Sequence, residues 1–196
     1  MADMHDFTPA TRRTAELVAG VSEDSLGAPT PCSDYAVGDL LDHIGSLTVA
    51  FASIAAKSVG NGASPPLGNA SNLAPDWRTR IPADLERLAE AWCEPDAWSG
   101  MTKAGGFEMP AEMAAAVATE ELVVHGWDLA RETDQPFESD PASLDVAIGF
   151  LEQFSTPETA ARRGDAYAPV VGVAGDAPTL DRVVGFSGRD PNWTPA

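Results

Sequence analysis

Apolar residues recur along this chain at helical rather than strand spacing. Leu40, Leu47, Ala50 and Ile54 fall on one stripe that runs to about Lys57, the rhythm of a helix with one buried face. The turn-like Pro29-Thr30-Pro31 just before it places the start at Ser33 or Asp34, both good capping residues. An earlier helix opens with Thr8 as N-cap and Pro9 in the first helical position, and stops at Gly20. A third carries Leu85, Leu88, Ala89 and Trp92 on one face. There Pro82 is either a first-turn residue or a kink in a helix beginning near Pro75. A fourth helix is predicted from about Pro110 to Glu132, and a fifth from Asp140-Pro141 to Thr156-Pro157. Weak alternation over Trp98–Met109, around Ala104-Gly105-Gly106, predicts a small hairpin. Gly60–Ala74, rich in Gly, Asn, Ser and Pro, reads as a connecting loop. The tail offers an extended piece at Tyr167–Val171 and a short helix near Pro178–Phe186.

Four longish helices with short connections predict an all-α fold, a helical bundle over residues 1–160 with a short C-terminal extension, 161–196, packed on it. The Val/Ile-rich buried strands of a doubly wound α/β sheet are missing. At 196 residues and 44% hydrophobic composition the chain is long and apolar enough to bury a core.

Charge narrows the function. Thirty Asp and Glu against 12 Lys and Arg give a net charge of −18. Such a surface repels phosphate backbones and anionic lipid, so nucleic-acid and membrane-surface roles are disfavoured. No apolar run approaches the roughly 20 residues that span a bilayer. The start of the chain lacks the basic and apolar regions of a signal peptide, and two cysteines make no disulfide framework. A cytoplasmic protein is expected.

The chemistry concentrates on histidine, of which there are three. His5 lies in an N-terminus expected to fray. His43 falls in line with Leu40, Leu47 and Ile54, a polar residue in the middle of a core-facing stripe. Glu121 and His125 are four apart, one helical turn from each other. They share their face with Ala114, Val117, Ala118, Leu122 and Leu129. Glu120, about 100° round the helix, projects sideways and is the weaker candidate. A buried carboxylate and two buried imidazoles need compensation. One solution is a structural cluster with Glu121 accepting from both imidazoles. The other is a metal centre of two imidazoles and one carboxylate from facing helices, as helical bundles build them. Three protein ligands leave an open position, the arrangement of catalytic zinc. The same donor types suit iron. Asp128, three residues beyond His125, either orients it or is a surface or interhelical polar residue.

These residues belong to recognisable motifs. The segment Thr30-Pro31-Cys32-Ser33-Asp34-Tyr35-Ala36-Val37 through His43 resembles the TPC-x-x-W-x-V-x-x-L-x-x-H opening of the mycothiol-dependent maleylpyruvate isomerase and DinB-like superfamily. The segment Glu121 to Ala130, with His125, Trp127 and Asp128, resembles its E-x-x-x-H-x-W-D-L-A signature, and Gly188-Arg189-Asp190-Pro191 resembles its closing motif. The resemblance implies a DinB-like four-helix bundle in which His43, Glu121 and His125 hold a divalent metal, zinc first, with nickel or iron as substitutes. It further implies that the open position activates a low-molecular-weight thiol such as mycothiol for isomerase or transferase chemistry on an electrophilic substrate. Tyr35 stands where the family usually has Trp. The part after the fifth helix is shorter than the C-terminal domain of the isomerase itself, which resembles the short metal-binding members, so maleylpyruvate is not taken as the substrate. The rival readings are a non-catalytic metal-stabilised bundle, closed by a fourth ligand such as Asp128 or Asp39, and an interaction protein with an empty polar cluster. Bundle faces also admit a homodimer.

Other residues read as structural. Cys32 lies in a turn and packs; Cys93 is expected in the core. Arg131 is expected in a surface salt bridge, although it is near enough to the site to meet a substrate carboxylate. No Gly-rich phosphate loop is present.

Overall fold

The computed structural model describes residues 4–58, 67–104, 106–164 and 167–195. Six α-helices dominate it: α1 Thr8–Gly20, α2 Val37–Ala55, α3 Trp77–Trp92, α4 Ala111–Glu132, α5 Pro141–Leu151 and α6 Thr179–Phe186. The predicted hairpin forms as β1 Met101–Ala104 and β2 Phe107–Pro110, antiparallel, with Met101 opposite Pro110 and Ala104 opposite Phe107. Much of the predicted Gly60–Ala74 loop lies outside the described residues.

Helices α1 and α2 each pack on both α3 and α4, which gives an all-α four-helix bundle in the ring order α1, α3, α2, α4. Its core is built from Leu17, Leu40, Leu41, Ile81, Leu85, Leu88 and Leu129, with the buried Trp92 stacked on Phe7. A second, smaller core forms where α5 covers the opposite face of α4 and α6 packs on α5; Val123, Val124, Leu151 and Val183 fill it. Helix α4 is therefore sandwiched between two cores. Its small residues Ala114, Ala115, Ala118 and Ala130 let the neighbouring backbones approach.

The boundaries show which local interactions decide the starts. Thr8 is already helical, and the side chain of Asp6 accepts from its N–H at 2.8 Å. Helix α2 begins at Val37 rather than at Ser33 or Asp34, because residues 29–36 are held in a turn. Thr30 Oγ1 donates towards the carbonyls of Tyr35 (2.8 Å) and Cys32 (3.1 Å), and Pro29 pairs with Ala36. Asp39 then caps α2 by accepting from the Ala36 N–H at 3.1 Å. Pro82 is interior to α3. Helix α5 is capped by Asp140, whose carboxylate accepts from Ser143 N–H, and ends at Leu151 instead of Thr156; a 3₁₀ turn over Glu152–Phe154 follows. Tyr167–Val171 joins no strand. The apolar α2 (19 residues, with a window of mean hydropathy 1.2) qualifies the reading of the sequence as free of spanning-length segments, but 56% of that window is buried against the rest of the bundle.

Candidate functional site

The α2 stripe carries His43 to the bundle interior beside the Glu121–His125 turn of α4. Donor atoms of His43, Glu121 and His125 all lie within 4.8 Å of one another, and among the described residues no other group of His, Cys, Asp and Glu converges in this way. His125 Nε2 is 3.0 Å and His43 Nε2 3.7 Å from Glu121 Oε2. The opposite nitrogen of each ring is already held. His125 Nδ1 is 3.0 Å from Asp128 Oδ2, and His43 Nδ1 is 3.3 Å from the Tyr35 hydroxyl. Fixing Nδ1 of an imidazole sets the ring's orientation and leaves Nε2 free to serve as a ligand. Two Nε2 atoms and one carboxylate therefore meet at one point, a donor set that fits zinc or a related divalent ion. Neither Asp39 nor Asp128 is available as a fourth ligand. Asp39 accepts from the backbone N–H groups of Ala36 and Ala70, and Asp128 faces Arg189 and His125 Nδ1.

Electrostatics without an ion reflect the same convergence. Burial lowers the affinity of His125 for a proton, but its hydrogen bonds to Asp128 and Glu121 outweigh this and raise its pKa to about 9. Burial pushes Glu121 up, and the hydrogen bonds from His125 and His43 bring it far below the usual carboxylate range. The trio faces a cavity of about 260 Å³. Residues of the 29–36 turn, Cys32 to Tyr35, form one wall; Glu120 and Val124 of α4 form another; Tyr167, Ala168 and Arg189 close it from the C-terminal segment. Cys32 is buried in its turn, as expected, and also borders the cavity. Burial raises its thiol pKa, with Arg189 opposing.

A family model described as the mycothiol maleylpyruvate isomerase N-terminal domain matches residues 7–130. The chain belongs to that family. Two relatives from Mycobacterium tuberculosis, of strains CDC 1551 / Oshkosh and ATCC 25618 / H37Rv, are each 27% identical over 183 residues, 89% of this chain and 91% of theirs; both are described as uncharacterized proteins. The crystal structure of a mycothiol-dependent maleylpyruvate isomerase shares the fold, with a TM-score of 0.56 at 21% identity over 78% of this chain and 70% of that one. A histidine-to-alanine variant of that enzyme superposes equally, with a TM-score of 0.57 at 20% identity.

This member of the mycothiol maleylpyruvate isomerase N-terminal family completes its cavity with residues beyond the matched segment. Arg189 reaches back to α4, placing Nη2 3.1 Å and Nε 3.4 Å from the two oxygens of the fully buried Asp128. Tyr167 donates its hydroxyl to Glu120 Oε2 at 2.8 Å. Glu120 is only 1% exposed. Burial, followed by the neighbouring charge of Glu121, pushes its carboxyl up to about 8. Glu120 does lie to the side of the Glu121–His125 face, as expected, but that side is buried too, because the segment around Tyr167 covers it. Three expectations are revised. Cys93 is exposed, one residue past the end of α3. Arg131 donates to the Trp193 carbonyl instead of making a surface salt bridge. His5 is packed, edge-on to Phe7 and 3.4 Å from Ser143 Oγ.

Proposed function

We propose that this protein is a cytoplasmic, thiol-dependent isomerase or transferase that holds a divalent metal, zinc first, through His43, Glu121 and His125. The observation that carries the reading is the paired tethering of the imidazoles: both Nδ1 atoms are engaged, and both Nε2 atoms meet the Glu121 carboxylate at the floor of an open cavity. A bound divalent ion with an open position supplies a lowered pKa to a coordinated thiol, which makes it a nucleophile at neutral pH. The chain's own residues do the rest. Asp128, ion-paired with Arg189, keeps His125 oriented, and the Tyr35 hydroxyl does the same for His43. Glu121 offsets positive charge. The turn at Cys32–Tyr35 and the Tyr167–Glu120 pair shape the space in which a small thiol such as mycothiol and an electrophile would meet. Family membership supports the thiol.

The test is metal content after purification without added metal, followed by the visible spectrum of cobalt-substituted protein titrated with mycothiol or a related thiol. Expected are close to one metal per chain, its loss in Glu121→Ala, and a thiol-dependent change in the spectrum. Metal-free protein with an unchanged melting temperature on chelation would overturn the reading. A cobalt spectrum indifferent to thiol would instead leave a purely structural ion.

A further inference from the structure

The Tyr35 hydroxyl oxygen sits between two nitrogens. His43 Nδ1 lies 3.3 Å from it, and the backbone N–H of Gly68 donates to the same atom. This second contact is fixed by the way residues 68–70 lie along α2. Asp42 Oδ2 accepts from the Asn69 N–H at 3.0 Å, and Asp39 Oδ1 accepts from the Ala70 N–H at 2.7 Å. Gly68 is thereby held so close to α2 that a Cβ on it would stand 2.2 Å from the Asp39 carbonyl oxygen and 2.8 Å from His43 Cβ. Glycine is what permits that approach.

A phenolic oxygen has two lone pairs and one O–H. With the Gly68 N–H on one lone pair, the tautomer of His43 decides the rest. Where the ring carries its proton on Nε2, Nδ1 is an acceptor and the hydroxyl donates to it. A metal on Nε2 takes up that nitrogen's lone pair, so the ring proton sits on Nδ1 and the bond reverses. Both lone pairs of the hydroxyl are then filled, and its own proton is released. Among the described residues no further group is hydrogen-bonded to it. Tyr35 is buried and lines the cavity, and a buried O–H left without an acceptor is costly. We propose that metal binding turns Tyr35 from a donor to His43 into a donor to the cavity, where its hydroxyl holds a carbonyl oxygen of the bound molecule. The inference rests on the metal-dependent, thiol-dependent reading and adds a ligand-recognising residue to it. A neutral O–H offers one directional bond, which suits a carbonyl on either the thiol or its electrophile.

The chain has only two tyrosines, Tyr35 and Tyr167. Full-length protein labelled with carbon-13 at tyrosine Cζ therefore gives two NMR signals, assigned with Tyr167→Phe. The zinc-loaded protein is titrated with pentanethiol, which has no carbonyl, and with N-acetylcysteamine, a thiol that carries one. Methyl butyrate, added beside bound pentanethiol, places the carbonyl on the second molecule instead. The Tyr35 signal is expected to move with N-acetylcysteamine if the carbonyl belongs to the thiol, or with methyl butyrate if it belongs to the electrophile. Pentanethiol alone should leave it in place, and Tyr167, bonded to Glu120, should not respond. In cobalt-substituted protein at saturating metal, Tyr35→Phe should weaken the responding carbonyl probe by about 3- to 10-fold and pentanethiol by less than about twofold. Equal weakening of both would make Tyr35 a positioning residue for His43 alone and overturn the inference. A Tyr35 signal that no carbonyl probe moves, or that moves equally without metal, would also overturn it. Protein that binds metal and thiol yet shows neither effect refutes this inference only; protein that takes up no metal refutes the functional reading with it.

Discussion

Asp128→Ala removes the acceptor at the centre of the buried polar network. In the parent, Asp128 is fully buried and takes Arg189 Nη2 at 3.1 Å, Arg189 Nε at 3.4 Å and His125 Nδ1 at 3.0 Å. The variant leaves the guanidinium of Arg189, whose side chain is 10% exposed, without its counter-charge. It also leaves the His125 ring untethered. Breaking a buried ion pair from one side costs about 3–5 kcal/mol. In a chain of this size each kcal/mol moves the melting temperature by roughly 2–4 °C, which places the expected fall at about 6–20 °C. Urea unfolding with an unchanged slope and a lower midpoint is the matching equilibrium readout. Asp128→Asn keeps an acceptor and should cost less. Replacing both partners, Asp128→Leu with Arg189→Met, should cost far less than the two single losses added together, since no charge is stranded. Losing the tether on His125 should also weaken zinc binding by about 10- to 100-fold. If Asp128→Ala unfolds within about 1 kcal/mol of the parent, the ion pair is not the device that holds the C-terminal segment to α4.

Two further outcomes follow from the same network. In the metal-free protein His125 binds its proton more tightly when folded (about 9) than when unfolded (6.5), so its stabilisation is complete below 6.5 and fades towards pH 9. Glu120, at about 8 in the fold against 4.5 outside it, erodes stability over 4.5–8 in the same direction. Melting temperature should therefore fall as pH rises from 6.5 to 8, and a flat or rising profile would contradict both assignments. Tyr167→Phe strips the hydroxyl from the buried Glu120 and should lower stability by about 1–3 kcal/mol; an unshifted urea midpoint would show that the carboxyl finds another partner.

The parts of this fold that could be read in the sequence are those governed by one-sided periodicity. His43 and the Glu121–His125 pair interrupt apolar stripes, and a polar residue on such a stripe identifies itself as buried. Glu120 escaped because α4 has two buried faces, and a stripe argument assumes one. The signal was present, since α4 carries Val123, Val124 and Leu122 in succession, more apolar surface than a single face requires. The contributions of Tyr167 and Arg189 depend on how the tail folds back, a tertiary contact across some 60 positions that no local pattern encodes. The misplaced start of α2 has a similar cause: Ser33 and Asp34 are good caps, but the Thr30 hydroxyl holds the backbone there in a turn.

The clasp of Arg189 on Asp128 sets an order in time. During synthesis the chain emerges from its N-terminus, so His43, Glu121 and His125 leave the ribosome well before Tyr167 and Arg189. A nascent bundle that closes early has Glu120 and Asp128 facing water where the tail will later lie. Those two acids are hydrated until their partners arrive, and the finished cavity is among the last features of the molecule to mature.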